Sequence, residues 1–436
     1  MKAVKFGGTS MSTADSILRV AKIIKQDRDR RFVVVSAPGK AEGEDKVTDA
    51  LVKVSEACAC DRKAAFAPVR SRFERLCEGV GLLGLLDGEL DAIERNIVQA
   101  DYCYILSRGE YLCAKLLAGV LNYSFIDAAE LIRFNGNSFD DELTQDTCKV
   151  GLKGKLDVVI PGFYGSDENG RIVTFSRGGS DVSGAIVARA VDADVYENFT
   201  DVDGFMTCDP RFVPHASVID VLTYKELREL AYMGANVLHP ESIFPVRKAN
   251  IPIHILNTFN ENAIGTKIVP TEEFLSGKHV RKNNMPITAI AGRQHFFSMH
   301  IDKSLMNSEV GIMRRVLSCF ERYGVSVEHI PSGIDSVTVV FSAVDSETTN
   351  KLIEEVKMEV NPDHISLTTD ISLIAIVGHG MKSRPGTAAR AINRLSHANI
   401  NLRMLDMGAS EINLILGVSD SDFERALKAL TGEFEV

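Results

Sequence analysis

From residue 1 to about 275, short runs of β-branched and aromatic residues alternate with longer stretches whose apolar positions recur every three or four residues. The short runs, read as strands, are AVKF, RFVVVSA, LDVVIPGF, RIVTFS, ADVYENFT and IPIHIL. Helical spacing runs through Ala14 to Asp27, Lys46 to Cys60, Asp87 to Ala100 and Gly109 to Leu121. Strands alternating with helices predict a mostly parallel sheet covered on both faces, with ligands gathered at the carboxyl ends of its strands. Glycine-rich punctuation falls at several of those ends: Gly7-Gly8, Ala37-Pro38-Gly39, Gly162 and Gly178-Gly179.

Past about residue 285 the pattern repeats itself. The stretch from Gly311 matches the stretch from Gly386 at a constant offset of 75 residues, with Val325 on Ile400, Gly333 on Gly408 and Phe341 on Leu416. Each copy reads strand, helix, strand, strand, helix. The first copy closes with a further strand, ISLTTD from Ile365, whereas the second runs out after its last helix. The piece ITAIAGR, Ile287 to Arg293, is left over ahead of the first copy. The expectation is therefore an α/β domain over 1–280 followed by two βαββαβ modules, the first inserted in the second. The first module takes 294–368; the second takes 287–293 together with 369–436.

Composition narrows the function. A chain of 436 residues is too long for one core, and 45% hydrophobic with 25% charged residues is ordinary globular material. The net charge of -10, without a long basic run, argues against nucleic acid or an anionic membrane as partner. No apolar stretch approaches the roughly 20 residues that span a bilayer, and the N-terminus moves directly into a strand, so a cytoplasmic protein is expected. The eight cysteines (58, 60, 77, 103, 113, 148, 208 and 319) form no CxxC pair and read as reduced thiols. Cys58 and Cys60, in an Ala-rich helical stretch, read as packing, and no metal site is expected.

Four stretches carry chemistry. In KFGGTS, Lys5 precedes the glycines, the reverse of a P-loop. It is either a phosphate site of another kind or a strand ending in a tight turn. Glycine lets a backbone approach an anion, and Thr9, Ser10 and Ser12 offer N-cap or donor groups. SRGGSD, Ser176 to Asp181, repeats the design at a second strand end, where Arg177 is suited to grip a carboxylate or phosphate bidentately. TDVDGFMTCDPR, Thr200 to Arg211, is a turn-rich loop that alone would suit any surface. LSRGE, ending at Glu110, puts an acid near the start of a helix, where compensation of the helix dipole is the simple reading.

Together and in this order, KFGGTS, VVVSAPG, LSRGE, PGFYG, SRGGSD and TDVDGFMTCDPR resemble the signatures of the aspartate kinases in the amino-acid kinase superfamily. The repeat is similar to that family's nested pair of C-terminal ACT modules, so the resemblance covers nearly the whole chain. It implies a three-layer αβα kinase domain with a mostly parallel sheet, followed by two ferredoxin-like ACT modules. The implied reaction transfers the γ-phosphoryl group of ATP, with Mg²⁺, to the β-carboxylate of L-aspartate. The product, 4-phospho-L-aspartate, opens the route to lysine, threonine and methionine. The nucleophile is already ionised, since a free carboxylate has a pKa of about 4, so no general base is needed. The site has only to bring two anions together and hold the charge of the moving phosphoryl group.

The resemblance also assigns roles. Lys5 reaches the β- and γ-phosphates, and Gly7, Gly8 and Ser10 give the close backbone approach. Thr200, Asp201, Met206 and Arg211 fall on nucleotide-contact positions. Arg177 clamps the substrate α-carboxylate, Glu110 takes its ammonium, and Ser36, Thr48 and Ser180 match substrate contacts. Asp181 shapes the same pocket and joins Lys5 and Arg177 as a catalytic residue. Mg²⁺ would bridge phosphates mostly through water, so no protein ligand set can be read. Two positions depart from the family: Met206 stands where many relatives have tyrosine, and Asn236 where several have a phosphate-contacting lysine. Lys40, in PGKAEGEDK, would compensate for the second; that segment is either a mobile lid or a plain solvated loop.

ACT modules typically bind amino acids between modules, usually across a dimer. Feedback control and a homodimer through the ACT modules, or a tetramer built from it, are therefore expected. Glu328 would hold the effector ammonium, Ser332 and Asp335 would add polar contacts, and Met306, Asn307 and Ile312 would line the way in. Ordinary surface acids are the alternative reading of Glu328 and Asp335. The second copy has Arg403 and Ser410 at those two places, so only the first is expected to bind. The acids favour lysine as effector, with threonine second. The rival readings are a glutamate, acetylglutamate or UMP kinase of the same superfamily, and an amino-acid sensor whose kinase domain is weakened at Met206 and Asn236. No homoserine dehydrogenase segment follows Val436, so a monofunctional kinase is expected.

Overall fold

The computed structural model describes residues 1–176, 178–235, 237–238, 240–281, 285–408 and 412–434, with the backbone alone at 240, 241 and 383. The chain divides into two units. The first comprises Met1–Phe205, Val218–Ala231 and 236–282; the second comprises Met206–Ser217, Tyr232–Ala235 and 283–436.

The first unit is built on an eight-stranded sheet. Its order is Val221–Thr223, Thr266–Val269, Ile253–Asn257, Val195–Thr200, Lys2–Phe6, Arg30–Val35, Val158–Pro161 and Ser124–Phe125. The first two of these run against the rest, and all other neighbours pair in parallel. The opening strand thus lies at the centre, buried on both faces. Five helices, Ala14–Gln26, Val47–Glu56, Arg62–Gly79, Asp87–Asn96 and Tyr102–Leu121, share one core with Val4, Phe6, Val33 and Val35. Helix Gly179–Ala190 covers the opposite face, flanked by Asp141–Leu152 and Phe244–Lys248.

Capping sets where these helices begin. Thr13 Oγ1 accepts from Ser16 N–H at 3.2 Å while Ser16 Oγ accepts from Thr13 N–H at 3.0 Å, a reciprocal box that starts Ala14–Gln26. Asp101 accepts from Tyr104 N–H at 2.8 Å and starts the next long helix at Tyr102, seven residues before the expected Gly109. The predicted strand RIVTFS does form, over Ile172–Thr174, but as a ribbon with Tyr164–Ser166 outside the main sheet. The helix at Val47 stops at Glu56, which leaves Cys58 and Cys60 exposed beyond its end rather than packed.

The second unit carries a six-stranded antiparallel sheet. Its order is Val327–His329, Ser336–Ser342, Ala289–Asp302, His364–Val377, Asn413–Val418 and Met404–Asp406. Two strands run 14 residues each, where the sequence pattern suggested separate pieces. In the first of them Ala289–Arg293 pairs with Leu373–Val377, and Phe296–Asp302 pairs with Ser336–Ser342. A register shift between Arg293 and Phe296 separates the two halves, with His295 at φ 67°. Helices Ile312–Arg322 and Ser346–Val360 close one core, while Thr387–His397 and Phe423–Phe434 close another. Gly311 and Gly386, equivalent in the repeat, cap the matching helices at φ 84° and 90°, a left-handed backbone that favours glycine.

Two excursions that the sequence assigns to the first domain belong instead with this second unit. Cys208 is buried in the core of Thr387–His397 and Phe423–Phe434, and Phe212, Val213 and Ala216 pack against it. The Phe212 ring meets Phe423 edge-on at 5.4 Å, and Ile290 N–H donates to Thr207 O at 2.8 Å. Apolar side chains decide the allegiance of this loop; its Asp-Gly-Pro spelling had suggested only turns. Among the described residues, no helix is long and apolar enough to cross a membrane.

Candidate active site

The loops that follow the two central strands meet backbone to backbone. Gly39 N–H donates to Gly8 O at 2.8 Å, and a Cβ on Gly39 would come within 2.7 Å of the Gly8 carbonyl carbon. Glycine is required there because no side chain fits between the two turns. A third loop closes from the other side, where a Cβ on Gly162 would lie 2.7 Å from that of Ser180. Between them, at the carboxyl ends of the strands, opens a cleft of about 370 Å³. Lys5, Gly8, Thr9, Ser36, Thr48, Glu110, Ser180 and Asp181 all line it.

Lys5 is the penultimate residue of the opening strand, and only 7% of it is exposed. Its ammonium turns over the glycine loop, since a Cβ on Gly7 would lie 3.7 Å from Lys5 Nζ. There it meets Asp181 Oδ1 at 2.5 Å. Asn198 Nδ2, from the neighbouring strand, donates to the same oxygen at 3.0 Å, and Tyr196 Oη donates to the Asp181 carbonyl at 3.2 Å. Asp181 lies in the first turn of helix Gly179–Ala190, which Gly178 caps at φ 63°. Strand and helix N-terminus together thus hold an acid–base pair at the cleft floor.

Glu110 lies midway along Tyr102–Leu121, so it is not the dipole-compensating acid its position in LSRGE had suggested. The fold packs that helix hard against the Ala37 loop: a Cβ on Gly109 would approach Ala37 Cβ to 2.8 Å. Burial pushes the Glu110 carboxyl up to about 7, against the Ala37 N–H and the cations Lys5 and Arg108, which pull it down. Its Oε2 is buried without a hydrogen-bond partner. A buried, half-satisfied carboxylate beside a cleft is chemically suited to an incoming ammonium.

Other expected residues take different places. Gly7 N–H is already bonded to Phe199 O at 3.1 Å, so it extends the sheet instead of facing a phosphate. Ser10 is fully buried, with its hydroxyl 2.7 Å from that of Thr258, and it braces the turn while Thr9 faces the cleft. Neither supplies the helix cap, which comes from Thr13. Thr200 closes a neighbouring strand, and Asp201 accepts from Thr9 Oγ1 at 3.0 Å, so both flank the glycine turn. Met206 and Arg211 belong to the second unit, where Arg211 pairs with Asp209 at 2.5 Å. Arg177 and Asn236 lie outside the described residues.

The cleft also contains residues to which the motifs gave no role: Lys46, Phe163 of PGFYG and the Pro38-Gly39 turn of VVVSAPG. Phe163 sits at φ 79° with its N–H on Ser183 Oγ at 3.0 Å, an uncommon backbone for an aromatic residue. Lys46 had a signal, as the basic residue that opens KVTDAL.

In the second unit, Met306 and Ile312 are buried, Asn307 N–H donates to Ile334 O at 3.1 Å, and Asp335 Oδ1 accepts from Leu305 N–H at 2.8 Å. Ser332 bridges to Val337 in the same turn. Glu328 is not part of this group. Its Oε1 accepts from Ser342 Oγ at 2.8 Å, at the far end of strand Ser336–Ser342 from Asp335. Six or so residues of strand put them roughly 20 Å apart, so one small effector cannot touch both acids within one chain.

Residues 1–257 match the amino acid kinase family, and residues 374–434 match an ACT domain. Aspartokinase 3 of Bacillus subtilis is 35% identical over 461 aligned residues, covering 100% of this chain and 98% of its own length. The crystal structure of Clostridium acetobutylicum aspartate kinase superposes with a TM-score of 0.92 at 42% identity, covering 100% of both chains. Escherichia coli aspartokinase III, solved with aspartate and ADP, superposes at 0.77 and 25% identity, again over 100% of both chains. With its glycine-turn cleft and these full-length matches, the chain belongs to the amino acid kinase family and, within it, to the aspartate kinases.

Proposed function

We propose that this enzyme transfers the γ-phosphoryl group of Mg²⁺-ATP to the β-carboxylate of L-aspartate, under feedback control by an amino acid. One observation carries the reading: Lys5 paired to Asp181, the hydroxyl-bearing Ser36 and Thr48, and the unpartnered carboxylate oxygen of Glu110 converge on a single cleft. Glu110 holds the substrate ammonium, and Arg177 is assigned to clamp the α-carboxylate. The β-carboxylate then points between Thr48 and the Gly8 turn, where Lys5 and the Thr9 side of the turn receive the phosphates. A carboxylate oxygen attacks the γ-phosphorus, the bond to the β-phosphate oxygen breaks, and ADP leaves with the electron pair; no proton moves. The protein's part is orientation and charge. Mg²⁺ carried by the nucleotide would neutralise part of the phosphate charge.

The product, 4-phospho-L-aspartate, would feed lysine, threonine and methionine synthesis. Control falls to the tandem ACT modules, the first inserted in the second, a nesting supported by the pairing of Ala289–Arg293 with Leu373–Val377. The cluster of Met306, Asn307, Ile312, Ser332 and Asp335 takes the effector, with Glu328 contributing to a site completed by a second copy in a homodimer. Lysine is favoured; the E. coli relative has also been solved with lysine and aspartate.

The test is hydroxylamine trapping of the acyl phosphate with Mg²⁺-ATP and L-aspartate, with and without lysine or threonine. Hydroxamate that lysine suppresses supports both halves. Hydroxamate indifferent to both amino acids removes the effector assignment, and ATP turnover without hydroxamate removes the aspartate reaction.

A further inference from the structure

The cleft must bring a carboxylate up to a phosphoryl group, and the charge of Lys5 is largely offset by Asp181 at 2.5 Å. Two further lysines, Lys40 and Lys46, line the same cleft. Among the described residues neither makes an ion pair, and the acid beside Lys46, Asp45, is taken by Lys53 at 3.0 Å. Lys46 directly precedes helix Val47–Glu56, whose Thr48 faces the cleft, and Val47 N–H is fixed on Pro38 O at 3.0 Å.

A third basic residue anchors the backbone from which both lysines project. Arg72, on helix Arg62–Gly79, is 5% exposed. Its Nη2 donates to Gly39 O at 2.5 Å and to Ser12 O at 3.3 Å, and its Nη1 donates to Asp45 O. Gly39 and Asp45 are the residues immediately before Lys40 and Lys46. Its Nε faces Glu44 at 3.1 Å, and Arg75 holds the other oxygen of that acid. Ala41 and Glu44 bridge across the turn between. Both ends of the segment PGKAEGEDK are thus tied to one buried guanidinium, which argues for a fixed support and against a mobile lid.

We propose that Lys46 is a further catalytic cation of this cleft, contacting the acceptor carboxylate and the transferring phosphoryl group, and that Arg72 is the positioning residue that holds it there. The inference rests on the aspartate-phosphorylating reading and adds to it a residue outside the glycine motifs. During transfer the carboxylate–phosphorus bond forms as the bond to ADP breaks, and Lys46 faces the charge shared between the entering oxygen and the equatorial oxygens. Lys40, at the other end of the turn, serves the approach of the nucleotide.

The experiment compares Lys46→Met, Lys46→Arg, Arg72→Lys and the double variant Arg72→Lys/Lys46→Met in the hydroxamate assay, with thermal midpoints and aspartate binding measured alongside. Lys46→Met is expected to lower kcat by about 100-fold or more, with KM for aspartate and the thermal midpoint little changed and partial recovery in Lys46→Arg. Arg72→Lys should lower kcat by less, and the double variant should be no slower than Lys46→Met alone, because the two act through one contact. A Lys46→Met enzyme within about 3-fold of the parent overturns the catalytic role, given that effects below this size are small against a single lost donor. Losses that multiply in the double variant overturn the role of Arg72. If the parent itself forms no hydroxamate, the aspartate reading fails first and the inference falls with it.

Discussion

Glu110 holds one carboxylate oxygen against the Ala37 loop and keeps the other buried and empty-handed. Because its carboxyl titrates at about 7, it is largely neutral below that pH and cannot pair with an ammonium there. Aspartate binding should therefore strengthen as pH rises through 7: KM for aspartate should fall about tenfold per unit between roughly pH 5.5 and 7, then level off. Glu110→Gln should raise KM and flatten that profile; a profile that keeps its slope would remove Glu110 from the ammonium. Gly8 offers a second test at this scale. A Cβ there would meet Ala37 O at 3.0 Å and the Gly39 backbone at 3.3 Å. One turn must shift, so Gly8→Ala should lower kcat by about 10- to 100-fold with little loss of stability, read in the same assay. Lys5, Gly8 and Asp181 stand in glycine motifs at a strand end or helix start that the spelling marks; Ser36, Thr48 and Glu110 came from the family resemblance alone, since nothing in LSRGE shows that Glu110 lies buried in mid-helix. Asn198 and Arg72 were legible in neither way, because a strand asparagine and a helix arginine acquire their roles only from what the fold sets beside them.

At the scale of elements, the strands that carry the cleft were readable as β-branched runs. Val221–Thr223 and Thr266–Val269 were not, since three or four residues hold too few alternations to show a period. Helix Arg62–Gly79 escaped for another reason: Pro68 lies inside it and polar residues cover most of its length. The repeat gave the paired helices, but not the fusion of its strand pieces into two long strands, because periodicity does not reveal where one strand stops. The cap glycines permit a direct measurement. Gly311→Ala and Gly386→Ala each place a Cβ at φ 84° and 90° respectively, and each should destabilise the second unit by about 1–2 kcal/mol. Matching denaturation midpoints would show that the two copies share this device although their polar residues have diverged. If neither glycine responds, the caps are not what sets those helix starts.

Across the whole molecule, the two units are not consecutive stretches of chain. The loop from Met206 to Ser217 contributes Cys208 and Phe212 to a core otherwise made by residues beyond 286. Phe212→Ala should weaken that core by about 2 kcal/mol, less than a fully buried phenylalanine because this ring is only half-buried. Hydrogen exchange should then accelerate along Phe423–Phe434 while the amides of strand Lys2–Phe6 keep their protection; acceleration in both would mean that the two cores melt together. The same feature matters while the chain is being made. Phe212 leaves the ribosome well before Phe423, and at typical elongation rates the interval is roughly 10 to 40 seconds. For that time the loop carries apolar side chains whose partner does not yet exist, so a nascent chain stalled before its last helix should be the species that chaperones hold and proteases find.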